Sequence, residues 1–260
     1  MPFLKTDTGT TFYQVFSEDS ALPWVTLING YTRTSRDFNI FVKKLHARNF
    51  NVITLDNRGS GQSNTYDDFE FSDFKNDIIE IWDTISIKDS HVIGISMGGA
   101  IAQLLSSDYQ DRVGKLILIS TFLEPISLEW QPWGSSLPVI IKQLGPYFSD
   151  SFKGKNKVLI RAMAAQILKS NQEGNFNRGA NLQKQAMKSF FSKKFKQNIK
   201  SKTLIYHGED DKIIPITEAE KIQSVIPNSR LKKEPGKGHL LLAEVPKLLY
   251  ETSIEFLLER

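Results

Sequence analysis

The chain contains no cysteine, which removes disulfides, thiolate nucleophiles and Cys-type zinc sites from consideration. It has no apolar run near the roughly 20 residues that a bilayer-spanning helix needs. Its opening, MPFLKTDTGT, lacks the charged-then-apolar plan of a secretory signal. The HExxH zinc signature is absent as well, and no internal repeat or low-complexity segment occurs. These absences lead to the expectation of a soluble, cytoplasmic protein that requires neither metal nor organic cofactor and has no membrane span. With 40% apolar and 24% charged residues the composition is that of a globular protein. A length of 260 residues allows one large domain or two small ones.

Charge is present but unevenly spread. Residues 142–200 hold 13 Lys and Arg against two acids, Asp150 and Glu173, so a total of +4 leaves −7 for the rest of the chain. Leu182, Ala186 and Phe190 recur at i, i+4 and i+8, with Lys184 and Lys188 between them. That is the spacing of an amphipathic helix with a solvated basic face, and no nucleic-acid partner is expected from it.

The apolar runs organise the chain. FLKT and TTFYQVFS around a Thr8-Gly9 turn signal predict an N-terminal hairpin. WVTLING, NVITLD, SHVIGIS and GKLILIS are nearly continuous in apolar residues, as strands buried on both faces are. Helix-like segments lie between them at 35–47, 72–86 and 98–107. The alternation stops after Ser120 and resumes with KTLIYHG, a helix-like 216–225, SRLKKEP and a terminal helix over 240–258. Strand alternating with helix predicts an α/β fold with a doubly wound, mostly parallel sheet. A helical insertion then follows the sixth strand, with 1–120 plus 201–260 forming the core domain and 121–200 a helical cap.

One stretch carries chemistry. VIGISMGGA, Val92 to Ala100, fits G-x-S-x-G and joins an apolar strand to a helix. A turn that tight lifts the Ser96 hydroxyl clear of the sheet and leaves room only for small neighbours. Serine needs a base to take its proton, and four histidines are available. His46 falls in a surface helix and His91 at a strand start, which suits structural roles. His207 ends a strand, and His239 lies in PGKGHLLLAEVP after the last strand, beyond the carboxyl ends where functional groups of such sheets gather. His239 is the preferred base, with His207 second. An orienting acid is offered by Glu209, Asp210 and Asp211 in one loop, giving the chain order Ser, acid, His. Glu124 is an outlying alternative.

On these residues the chain resembles the α/β-hydrolase superfamily, of the compact capped kind, over nearly its full length. LDNRGSGQS resembles the D-x-R-G-x-G-x-S loop of that superfamily, GEDDKIIP its G-x-x-D-x-x-x-P acid loop, and GKGHLLLAEVP its histidine loop. The resemblance selects Asp211 as the acid of a Ser96–His239–Asp211 triad. It also implies an oxyanion hole formed by the backbone N–H groups of Tyr31 and Met97. Asn29-Gly30-Tyr31-Thr32 stands where many relatives carry His-Gly, a departure at the base of that loop. In DNRG, Asp56 and Arg58 are expected to tie loops together, since a buried Arg needs a carboxylate.

The activity so implied is hydrolysis of a small or medium carboxylic ester or lactone through an acyl-enzyme on Ser96. Cleavage of C–C bonds or acyl transfer by the same triad is the alternative, as is a ligand-sensing regulator with a slow triad. Epoxide and haloalkane hydrolases carry Asp where this chain has Ser96. Phe122, Trp130, Trp133 and Tyr147 are candidate apolar walls of the pocket, and the lysine-rich insertion suggests a carboxylate-bearing substrate. The sequence leaves the oligomeric state open.

Overall fold

A computed structural model of the chain describes residues 2–6, 8–63, 66–123, 133–172, 176–192 and 198–259. Glu124, Trp130 and the Phe190 side chain lie outside the described residues. The strands are β1 (Phe3–Thr6), β2 (Gly9–Phe16), β3 (Trp24–Ile28), β4 (Asn51–Leu55), β5 (Ser90–Ile95), β6 (Val113–Ile119), β7 (Lys202–Gly208) and β8 (Ser229–Glu234). They form one eight-stranded sheet in the order β1-β2-β4-β3-β5-β6-β7-β8. The β1–β2 hairpin and the β2–β4 pair are antiparallel, and every later pairing is parallel.

The helices are α1 (Asn39–His46), α2 (Phe71–Thr84), α3 (Met97–Asp108), α4 (Leu137–Leu144), α5 (Asp150–Lys155), α6 (Lys157–Gln172), α7 (Phe176–Ser192), α8 (Ile216–Val225), α9 (Leu241–Glu244) and α10 (Pro246–Leu258). One face of the sheet packs on α2, α3 and α8 through residues such as Phe74, Ile78, Ile101 and Ile222. The other packs on α1 and α10 through Phe41, Leu45, Leu249 and Phe256. Burial on both faces explains the near-continuous apolar runs: β4 is buried at all five positions, whereas β8, at the sheet's edge, keeps Lys232 and Lys233. Among the described residues no helix is long and apolar enough to cross a membrane.

Helices α4 to α7 lie between β6 and β7, where the strand–helix alternation breaks off. They hold a small core of their own, built on Ile140, Leu144, Phe148, Ile160, Ala164 and Ile167. Ala186 is buried and Lys188 exposed on α7, as its amphipathic spacing requires. Two expectations are corrected. The terminal helix is not continuous from 240 to 258 but breaks at Val245 (φ −138°), where Pro246 supplies no N–H and starts α10 afresh. Phe122 is no pocket wall; it packs in the core among the residues of α2 and α3.

The loop after β4 is tied down by charge. Asp56 accepts from the Ser35 and Gln62 N–H groups at 2.7 and 2.9 Å. Arg58 makes a two-pronged pair with the buried Asp77 on α2, Nε–Oδ2 2.8 Å and Nη2–Oδ1 2.6 Å, while Thr11 donates to Asp77 Oδ2 at 2.7 Å. The guanidinium also stacks 4.4 Å from the centre of the Tyr66 ring. Both residues tie loops, each through its own partner. Asp77→Ala strands the guanidinium in the core and is expected to lower the unfolding free energy by about 3–5 kcal/mol. Urea unfolding measures it, and a loss below about 1 kcal/mol would mean the pair contributes no more than a surface one.

Candidate functional site

Ser96 sits between β5 and α3 at φ 55°, ψ −120°, a left-handed conformation that costs a residue with a Cβ about 1–3 kcal/mol. Its neighbours hold it there: Ser96 N–H donates to Ile119 O at 2.9 Å, and the Thr121 hydroxyl donates to Ser96 O at 2.7 Å. Glycine at 98 is dictated by the backbone of β3, because a Cβ there would lie 2.2 Å from the Ile28 carbonyl oxygen. The small residues around the hydroxyl thus let α3 start directly against the sheet.

The loop after β8 brings His239 Nε2 to 3.2 Å from Ser96 Oγ. The loop after β7 brings Asp211 Oδ2 to 2.8 Å from His239 Nδ1. All three side chains are nearly or fully buried. Asp211 Oδ1 accepts from the Ile213 and Ile214 N–H groups, each at 2.8 Å. Burial works against the charge on Asp211, but the adjoining His239 and the hydrogen bonds from His207 and His239 outweigh it and hold the carboxyl well below the usual carboxylate range. Glu209 and Asp210 are exposed turn residues.

The remaining histidines separate cleanly. His46 pairs with Glu18 on the surface, and His91 Nδ1 accepts from Lys115 N–H at 2.9 Å. Burial, and after it Lys115, push the His91 imidazole down to about 4. His207 does not face Ser96. Its Nε2 lies 2.9 Å from Ile214 O and 3.3 Å from Asp211 Oδ2, so it donates there and backs the carboxylate from behind.

The loop after β3 is anchored without a histidine. Asn29 Nδ2 donates to Thr34 O at 2.6 Å and to Asp37 Oδ2 at 3.2 Å, while its Oδ1 accepts from Gly30 N–H at 2.8 Å. Asn57 Nδ2 donates to Asn29 O at 2.8 Å. This brings Gly30 against Ser96, so close that a Cβ on it would lie 3.2 Å from the serine Cβ. Tyr31 follows, its phenol donating to Ala180 O on α7 at 3.1 Å. Met97, directly after Ser96, is fully buried at the start of α3.

Two residues with no signal in the sequence join these loops. Gln183 on α7 is fully buried; its Oε1 accepts from Thr32 N–H at 2.8 Å and its Nε2 donates to Arg58 O at 2.7 Å. Glu244 accepts from Gly238 N–H at 3.1 Å and from Ser149 N–H and Oγ at 2.7 and 2.6 Å, so the His239 loop is stitched to the segment before α5. A cavity of about 240 Å³ lies over Ser96, with Trp133, Leu144, Tyr147 and Met163 among its apolar walls. Among the described residues no lysine lines it, and Arg33 is the arginine on its wall. Among the described residues no group of three or more His, Asp or Glu is arranged to hold a metal ion.

Comparison with known proteins places this site in context. A family model described as serine aminopeptidase, S33 matches residues 20–246. The chain is 25% identical to a non-heme chloroperoxidase of Burkholderia pyrrocinia over 93% of its own length and 94% of that protein's. It is 27% identical to a 2-hydroxy-6-oxononadienedioate/2-hydroxy-6-oxononatrienedioate hydrolase of Comamonas testosteroni, over 88% and 82% respectively. The enol-lactonase structure from Burkholderia xenovorans superposes with a TM-score of 0.84 at 19% identity, covering 99% of this chain and all (100%) of that one.

Two outcomes test the site's construction. Because the Asp211 carboxyl is held low, its stabilisation is fully present above the value of an unfolded Asp, about 3.9, and is lost as pH falls further. The difference in unfolding free energy between the native chain and Asp211→Asn is therefore expected to shrink between about pH 5 and pH 3; a difference that grows on acidification would contradict the ion pairing. Gln183→Leu leaves Thr32 N–H and Arg58 O without their partner and is expected to cost about 1–3 kcal/mol in urea unfolding.

Proposed function

The chain belongs to the serine aminopeptidase S33 family of the α/β-hydrolase superfamily, and from that premise we propose that it hydrolyses a small or medium carboxylic ester or lactone through an acyl-enzyme on Ser96. The observation that carries this reading is the unbroken contact from Ser96 Oγ through His239 to Asp211, at 3.2 and 2.8 Å.

In this mechanism His239 Nδ1–H donates to the ionised Asp211, which fixes the tautomer and turns the Nε2 lone pair toward the Ser96 hydroxyl. Ser96 Oγ attacks the acyl carbon as His239 takes its proton, and the carbonyl electrons move onto oxygen. The N–H groups of Tyr31 and Met97 receive that oxyanion, each donor contributing about 3 kcal/mol. Collapse expels the alcohol, or opens the lactone, with the proton returned from His239. Water then attacks the acyl-enzyme with His239 again as base, releasing the acid and regenerating Ser96. Residues 121–200 act as a cap over a core of 1–120 plus 201–260, and the 240 Å³ cavity suits acyl groups of modest size.

Esters are favoured over peptides despite the family's description. An aminopeptidase has to bind an α-ammonium group, and Asp37, the carboxylate that lines the cavity among the described residues, is occupied by Arg33 at 2.6 Å. Cleavage of a C–C bond by the same triad is the second reading, supported by the likeness to the Comamonas hydrolase. Relative kcat/KM on nitrophenyl esters and on vinylogous diketones separates the two.

A fluorophosphonate probe is expected to modify Ser96, as read by mass spectrometry of the adducted peptide, and to lose at least about 100-fold in rate in His239→Ala. Asp211→Asn is expected to lower kcat on a nitrophenyl ester by about 10³–10⁴. An adduct elsewhere, or labelling indifferent to His239, would refute the assignment.

A further inference from the structure

The cavity over Ser96 has two kinds of wall. Trp133, Leu144, Met163, Leu240 and the α9 residues Leu241 and Leu242 make it largely apolar, while Arg33 and Asp37 also line it as a pair. Their contact is two-pronged, Nε–Oδ2 2.6 Å and Nη2–Oδ1 2.7 Å. Both groups are fixed to the loop that carries Gly30 and Tyr31, since Asn29 Nδ2 also donates to Asp37 at 3.2 Å. The third nitrogen of Arg33, Nη1, makes no hydrogen bond among the described residues, and neither does the Tyr147 hydroxyl. Burial, and after it the charge of Asp211, push the Tyr147 phenol up to about 12, so it stays a neutral donor at working pH.

Among the described residues the Arg33–Asp37 side of the cavity therefore offers donors without offering net charge. A carboxylate placed against Arg33 Nη1 is attracted by the guanidinium and repelled by Asp37, which leaves little to offset the loss of its hydration. A neutral carbonyl oxygen in the same place loses far less water and still accepts the N–H. We propose that the Arg33–Asp37 pair is a specificity device, selecting uncharged esters or lactones that carry a second acceptor oxygen over equally long substrates that end in a carboxylate. This rests on the ester-hydrolase reading, which it deepens by naming the substrate class.

Three ethyl esters of equal length test it in a pH-stat: ethyl 4-oxopentanoate, ethyl pentanoate and monoethyl succinate, whose ends are neutral acceptor, neutral apolar and anionic. The expected order of kcat/KM in the native enzyme is oxo-ester, then alkyl ester, then succinate, the first exceeding the last by about tenfold or more. Asp37→Asn releases the Arg33 charge and is expected to raise the succinate-to-oxopentanoate ratio about tenfold. Arg33→Gln is expected to bring the oxopentanoate-to-pentanoate ratio near one. Ratios within one enzyme are insensitive to loss of folded protein, so a weakened variant still reports. Succinate hydrolysed as well as the neutral esters would overturn the proposal, as would an unchanged ratio in Asp37→Asn or no turnover by an enzyme that still reacts with fluorophosphonate. If neither turnover nor labelling occurs, the ester-hydrolase reading falls and takes this one with it.

Discussion

The contact between the first turn of α3 and the end of β3 governs the geometry of everything above the sheet. At Gly98 the helix backbone meets the Ile28 carbonyl so closely that no side chain fits between them. A helix that begins this tightly after a strand cannot do so with relaxed dihedrals, and the strain falls on Ser96 at φ 55°. The neighbours on both sides, β3 and β6, are the strands whose following loops supply Gly30 and Thr121. The central place of β5 thus explains why loops distant in sequence meet at one hydroxyl, beyond the carboxyl ends of the parallel strands.

What holds those loops is a set of carboxylates, each satisfied in a different way. Asp56 takes backbone N–H groups, Asp77 takes Arg58 and Thr11, and Asp211 takes two backbone N–H groups and two imidazoles. Asp37 takes Arg33 and Asn29. A buried carboxylate left short of donors is costly, so each of them fixes the loop that supplies its partners. Asn29 belongs to the same wiring: its amide both accepts and donates, which lets it brace the loop after β3 where a histidine would offer fewer contacts.

Legibility from sequence follows the same division. The elbow at Ser96, the acid loop and the histidine loop were readable because their geometry is imposed by adjacent residues: glycines at a tight turn, an Asp that accepts from N–H groups two and three positions on. The choice among Glu209, Asp210 and Asp211 needed a resemblance, since three neighbouring acids look alike until burial separates them. His207 was weighed as a base, yet it serves the acid, a distinction set by which way a strand-end side chain turns. Phe122 was misread because an aromatic after a strand can face the core or the cavity, and only the packing of α3 decides. Pro246 was in plain view as a helix breaker, but the short α9 before it obscured the boundary. Gln183 and Glu244 had no signal at all, since their partners lie from six to more than a hundred residues away.

Those two residues change what the inserted helices are for. A lid that merely covered the cavity could be tethered at its ends and left to pack on itself. Here α7 instead reaches down through Gln183 and Ala180 to hold Thr32 and Tyr31, and Gly179 meets Gly59 backbone to backbone. From the other side Tyr147 O accepts from Leu240 N–H at 3.1 Å, next to His239. Two of the loops that surround Ser96 are therefore braced by the insertion rather than by the sheet alone. On α6, Met163 turns to the cavity while Lys157 and Arg161 are exposed. An insertion so built contributes to the site by position and shape.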